Sequence, residues 1–191
     1  TRRGTATPLR EAAMRGGVTV LYGHWQGLVK ASAAAYLDYV RVRNVPYDAL
    51  TTNFRVLAIR DILKRNPQRP PEEQAQVLVE FLQGSLGEPY DLPGAEGITA
   101  ANLNSQVLRA IVLTLGLDFA IFEERTEWLD RFVLARHKIA HGDYDAFSNH
   151  GIDEKHYVSY HDTVVGLMVD FQNEISMAVS DDRYRAVTAS T

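Results

Sequence analysis

The chain has 191 residues, 46% of them hydrophobic, enough for one compact unit with its own core. It contains no cysteine, so disulfides, thiolate metal sites and cysteine nucleophiles are excluded. A net charge of −4 excludes a protein that coats nucleic acid with a broadly basic face, so any RNA contact must be confined to a small cluster.

In chain order, Thr7-Pro8 offers a capping hydroxyl followed by proline at a first helical position. Leu21, Trp25, Leu28, Val29, Tyr36, Tyr39 and Val40 then fall on one stripe at steps of three and four. Gly16-Gly17 and Gly23 weaken the pattern, so this helix is expected to begin near Val18 and to stop before Pro46. A second helix is expected over about 51–64, with Phe54, Leu57, Ala58, Ile62 and Leu63 inward. A third is expected from Pro71 to Leu86, with Val77, Leu78, Phe81 and Leu82 inward. Three glycines and two prolines make 87–101 a loop.

Asn104 or Ser105 can cap a fourth helix that ends at Leu115-Gly116. A fifth is expected over Phe122–Ala140, followed by Gly142 where a left-handed cap is wanted. Glu123, Glu124 and Glu127 suit its positive end, and Lys138 its negative end. The last helix, about Asp153–Val179, carries the stripe Tyr157, Tyr160, Val164, Leu167, Met168, Phe171 and Ile175, and a polar tail is expected to fray after Ser180. Period-two alternation, repeats and long apolar runs are lacking. The expected fold is therefore all-α: a single domain over 1–191, a bundle of five to six helices with its core at about 18–179. The first residues lack the apolar core of a secretory signal, so a cytoplasmic protein with no membrane contact is expected.

The stretch LARHKIAHGDY, residues 134–144, concentrates an arginine and two histidines at a helix end. Arg136 and His141 form an R-x4-H pair. With 16 arginines and 6 histidines such pairs arise readily by chance, and Arg131 with His137 makes an R-x5-H pair as well, so spacing alone selects no site. Residues five apart lie roughly 140° around a helix axis, but His141 directly precedes Gly142, where the chain can turn. The chemistry suited to such a pair is RNA cleavage without a metal. A histidine, with an ordinary pKa near 6.5, can take or give the proton. An arginine can hold the phosphate and stabilise charge on its oxygens. Two copies across a twofold axis would supply two of each.

The segments VLYGHWQGLVKASAAAYLDYV, NLNSQVL and RHKIAHG, taken in this order, resemble the HEPN superfamily, and most closely its RiboL-PSP-HEPN or MAE-type branch, from about Val18 to Ser176. The resemblance implies a HEPN-like helical bundle that forms a homodimer and brings two motifs into a shared cleft. It also implies metal-independent endoribonuclease activity, with no cofactor, in a toxin–antitoxin or antiviral defence setting. Arg136 and His141 would then be the catalytic pair, with His137, Lys138, Tyr144 and Asn104 in support. RNA would be the substrate, and an antitoxin or another defence-system protein would be the partner.

The chain departs from the family pattern in two places. The position after the motif arginine, usually Asn or Asp, is His137. The tyrosine that one branch places two residues after the motif histidine, as a target of nucleotidylation, is here Tyr144, one place later. An alternative is an inactive HEPN-like subunit that only binds, within a defence or nucleotidyltransferase complex. A metal reading rests on the i, i+4 pair His137 and His141 with Asp143, His150 or a distant residue as a third ligand, but Lys138 stands where a zinc-protease helix would carry glutamate. Asn102 and Asn104 read first as helix caps, His24 as a surface histidine and Trp25 as core.

Overall fold

The computed structural model describes residues 8–65, 67–94, 102–142 and 154–187. Among these, seven α-helices form: α1 Pro8–Val42, α2 Thr52–Arg65, α3 Pro71–Gly84, α4 Ser105–Thr114, α5 Ala120–Glu123, α6 Thr126–Ala140 and α7 Glu154–Ser180. A single 3-10 turn, Tyr47–Ala49, links α1 to α2. The all-α expectation holds. Among the described residues no helix is long and apolar enough to cross a membrane.

Helix α1 is the spine. Its stripe buries Val18, Tyr22, Trp25, Val29, Tyr36 and Val40, and it packs most extensively on α7 and next on α6. Contacts fix the directions. Arg10 pairs with Glu154, the Trp25 ring meets Phe171 edge-on, and the Tyr39 ring meets Tyr184 edge-on, so α1 and α7 run parallel. Arg125 pairs with Asp170 at 2.5 Å, while Trp128 and Phe132 both meet Tyr160, so α6 runs antiparallel to α7. On the other side of α6, the Ser105 backbone N–H and hydroxyl both donate to Asp130, at 2.8 and 2.7 Å, which fastens the start of α4 to α6. The result sets the last turn of α6 beside the first half of α1.

Four expectations need correction. First, α1 begins at Pro8 rather than near Val18, and Met14 is already buried. Gly17 does not break the helix; it lets α7 approach, because a Cβ there would stand 2.6 Å from Cε2 of Tyr157. Tertiary packing offsets the poor propensity of the glycines. Second, the expected fifth helix is two. Helix α5 stops at Glu123 and α6 starts at Thr126, because the Thr126 hydroxyl donates to the Glu123 carbonyl at 2.8 Å and Arg125 turns its guanidinium to the Ile121 carbonyl and to Asp170. The count therefore exceeds the five or six expected. Third, α3 buries no residue fully; Val77, Leu78 and Phe81 are half-buried and Leu82 is 36% exposed. The helix leans on α2 and on the rings of Tyr47 and Tyr90, both of which meet Phe81 edge-on.

Fourth, residues 181–187, expected to fray with the rest of the tail, fold back instead. Asp182 takes a left-handed turn (φ 49°), and Tyr184 is fully buried. Its hydroxyl donates to Asp182 at 2.6 Å and accepts from Nε of Arg43 at 3.1 Å. Its carbonyl accepts from the Thr51 N–H at 2.9 Å, and the Ala186 N–H donates to the Ala49 carbonyl at 2.8 Å. Arg183 reaches Glu174, the buried carboxylate of α7, which also accepts the Asp118 N–H. A buried charge that is both paired and hydrogen-bonded escapes most of the cost of its burial.

Candidate functional site

Residues of the RHKIAHG stretch occupy the last turn of α6 and its cap. His141 is the C-cap, with φ −91° and ψ 7°, and its N–H donates to the His137 carbonyl at 3.1 Å. Gly142 follows with φ 73°, the left-handed conformation that favours glycine, and its N–H donates to the Ile139 carbonyl at 3.1 Å. The backbone under the second histidine is thus fixed by ordinary helix-end hydrogen bonds, while its side chain stays exposed.

His137 is exposed too, one turn earlier, and the two imidazole rings lie 4.3 Å apart between centroids, inclined by 57°. Lys138 is half-buried beside them. These groups stand at the negative end of the α6 dipole, which on its own would repel an incoming phosphate. The Lys138 ammonium offsets that field, so the arrangement can receive an anion only because of its side chains.

Arg136 points elsewhere. It is half-buried, and its guanidinium lies 4.7 Å from the centroid of the Tyr22 ring on α1. Its Nε is buried and has no hydrogen-bond partner among the described residues. Tyr22, only 1% exposed, is held in turn: its ring is 6.2 Å from that of Phe132, and its hydroxyl accepts the Leu103 N–H at 2.8 Å. The expected pair thus divides. His141 meets His137, and Arg136 meets Tyr22.

The other candidates fall as follows. The side chain of Asn104 accepts the Val107 N–H at 2.9 Å, which makes it the N-cap of α4. Tyr144, and the further metal-ligand candidates Asp143 and His150, lie outside the described residues. His24 is exposed and Trp25 fully buried, as the stripe indicated. Among the described residues no group of three or more His, Asp or Glu side chains is placed to hold a metal ion. Tyr22 was not singled out from the sequence. Its spacing to Trp25 and Val29 reads as core packing, and nothing in the pattern distinguishes a core ring from one that carries a guanidinium.

Comparison with curated proteins and with solved structures finds no match. Comparison with protein families finds one described as RiboL-PSP-HEPN, matched over residues 3–177, which takes in α1 through most of α7 and the whole Arg136–His141 motif. Membership brings with it a nuclease-type or otherwise RNA-related function. With the helical bundle, the motif at the end of α6 and a match over most of its length, the chain belongs to the RiboL-PSP-HEPN family of the HEPN superfamily.

Proposed function

We propose that this protein is a metal-independent endoribonuclease that works as a homodimer. This reading is carried by one observation: two exposed imidazoles 4.3 Å apart stand at the end of the helix that also holds Arg136, whose buried Nε lacks a partner among the described residues. In the reaction, the 2′-hydroxyl of RNA attacks the adjacent phosphorus and the bond from phosphorus to O5′ breaks. The products are a 2′,3′-cyclic phosphate and a free 5′-hydroxyl. His141 accepts the 2′-hydroxyl proton or delivers one to O5′, and the imidazole of a second copy across a twofold axis performs the other transfer. Arg136 holds the phosphate and offsets charge on its non-bridging oxygens. Lys138 supplies further positive charge at the helix end, and His137 a second imidazole beside His141. Cleavage of this kind endangers the host, so a neutralising partner or a defence trigger belongs to the same proposal.

The test is incubation of the purified protein with RNA in EDTA. Fragments ending in cyclic phosphate, lost by a factor of about 10²–10⁴ in His141→Ala, are expected for an acid–base residue. His141 is exposed, so the variant should keep the parent's melting temperature. Intact RNA at high protein concentration would instead assign the chain the role of a binding subunit, and cleavage abolished by EDTA would assign it a metal-dependent reaction.

A further inference from the structure

The contacts of Arg136 carry an inference about its neighbour on α1. A guanidinium on a helix surface has several rotamers and loses their entropy when it grips a phosphate. Arg136 rests on a ring, its guanidinium carbon 4.7 Å from the Tyr22 ring centroid. A guanidinium held on a ring keeps N–H groups available for hydrogen bonds, and its terminal amino groups can make two-pronged contacts with phosphate. The Nε of Arg136 is buried, so it is the terminal amino groups of this half-buried side chain that remain for a phosphate. Tyr22 cannot drift, since its ring is buried against Phe132 and its hydroxyl is tied to the Leu103 backbone. Leu103 is itself buried and directly precedes Asn104, the cap of α4.

We propose that Tyr22 is a positioning residue: its ring holds the Arg136 guanidinium so that the terminal amino groups meet a phosphodiester, and the Leu103 N–H bond to its hydroxyl, anchored by the α4 cap, sets the ring. The inference rests on the nuclease reading for the identity of the ligand, a phosphodiester of RNA, while the contact itself stands apart from it. It also gives Asn104 a place in the site, as support for the segment that fixes Tyr22.

The experiment uses the full chain labelled with 15N at arginine. Ring current from Tyr22 should displace the Arg136 Nε–H resonance from the other arginine signals, Tyr22→Phe should keep that displacement, and Tyr22→Leu should abolish it. A Nε–H signal in the wild-type protein at the position of a free arginine would overturn the proposal. The second arm titrates an RNA oligonucleotide methylated on the 2′-oxygen at every position, which cannot be cleaved through a 2′-hydroxyl. Binding should move the same resonance, and Tyr22→Leu should weaken binding by about tenfold, the scale of a desolvated cation–π contact. Tyr22→Phe should bind within about twofold of wild type, because the ring and not the hydroxyl meets the arginine.

To separate positioning from folding, Tyr22→Leu is also made in the Arg136→Ala background. There it should cost no further affinity, whereas a purely structural role would weaken both backgrounds equally and would overturn the proposal. Failure of the wild-type protein to cut ordinary RNA would sink the nuclease reading alone, because the resonance and the binding arms do not depend on turnover. Oligonucleotide binding that leaves the Arg136 resonance unmoved would sink the positioning role alone.

Discussion

Tyr36 and Arg136 each bury a polar atom that meets no hydrogen-bond partner among the described residues. An orphaned buried group costs about 1–3 kcal/mol. For Arg136, which is only half-buried, a partner from outside the chain, a phosphate oxygen on the nuclease reading proposed above, can remove that cost once the side chain shifts. Tyr36 is closed in the core against Phe54 and has no such prospect. Tyr36→Phe should therefore raise the unfolding free energy by about 1 kcal/mol in urea at neutral pH. Its pH dependence has a definite sign. Burial, reinforced by the nearby Tyr184, pushes the Tyr36 hydroxyl above the ordinary tyrosine value. The unfolded chain then ionises first, so stability is whole below about pH 10 and falls as the pH climbs beyond it. The phenylalanine variant should lose stability less steeply in that alkaline range. A fall should remain, since burial and the bond to Asp61 raise Tyr90 in the same direction. An alkaline limb identical to that of the parent would contradict this account.

At the scale of elements, α1 carries glycines of two kinds. Gly17 faces the Tyr157 ring, whereas a Cβ at Gly23 would meet nothing within 4 Å. Replacing a helical glycine by alanine gains up to about 1 kcal/mol where space allows. Gly23→Ala should therefore stabilise, while Gly17→Ala must push Tyr157 aside and should fall about 1–3 kcal/mol below it. Denaturant melts of the two variants decide this, and equal stabilities would show that the α1–α7 contact yields freely. The same contrast marks what the sequence could tell. Periodicity exposed the stripes of α1, α2 and α7, and Asn104 and Gly142 marked helix ends correctly, because these signals are local. Gly17 read as a breaker because the ring that requires it comes 140 positions later. Likewise the R-x4-H spacing of Arg136 and His141 was legible, together with the i, i+4 relation of the two histidines that the fold brings ring to ring. The platform under Arg136 was not, since it depends on how α6 crosses α1.

For the molecule as a whole, the fold is closed at one end by Tyr184. The segment after α7 returns across the 3-10 turn, and its ring fills the space beside Tyr39 while Arg43 and Asp182 satisfy its hydroxyl. Removing so large a buried ring typically costs about 3–5 kcal/mol. Tyr184→Ala should lose that much in equilibrium unfolding, and a loss below about 1 kcal/mol would mean that the tail only rests on the surface. Tyr39 and Tyr22 are 17 residues apart on one helix, or about 26 Å by the rise per residue. The closing ring and the histidine-bearing turn thus occupy separate regions of the bundle, so damage to one can be told from damage to the other by comparing stability with RNA cleavage.

Val187, three residues beyond the buried ring, is 96% exposed, and the chain contains no sulfhydryl group of its own. A cysteine introduced there would be the sole thiol in the chain, chemically addressable without protecting any native residue. A spin label or dye attached to it would sit remote from the histidine-bearing turn, so the proposed dimer could be tested, and the spacing of its two copies gauged, by spectroscopy while the imidazoles remain unobstructed.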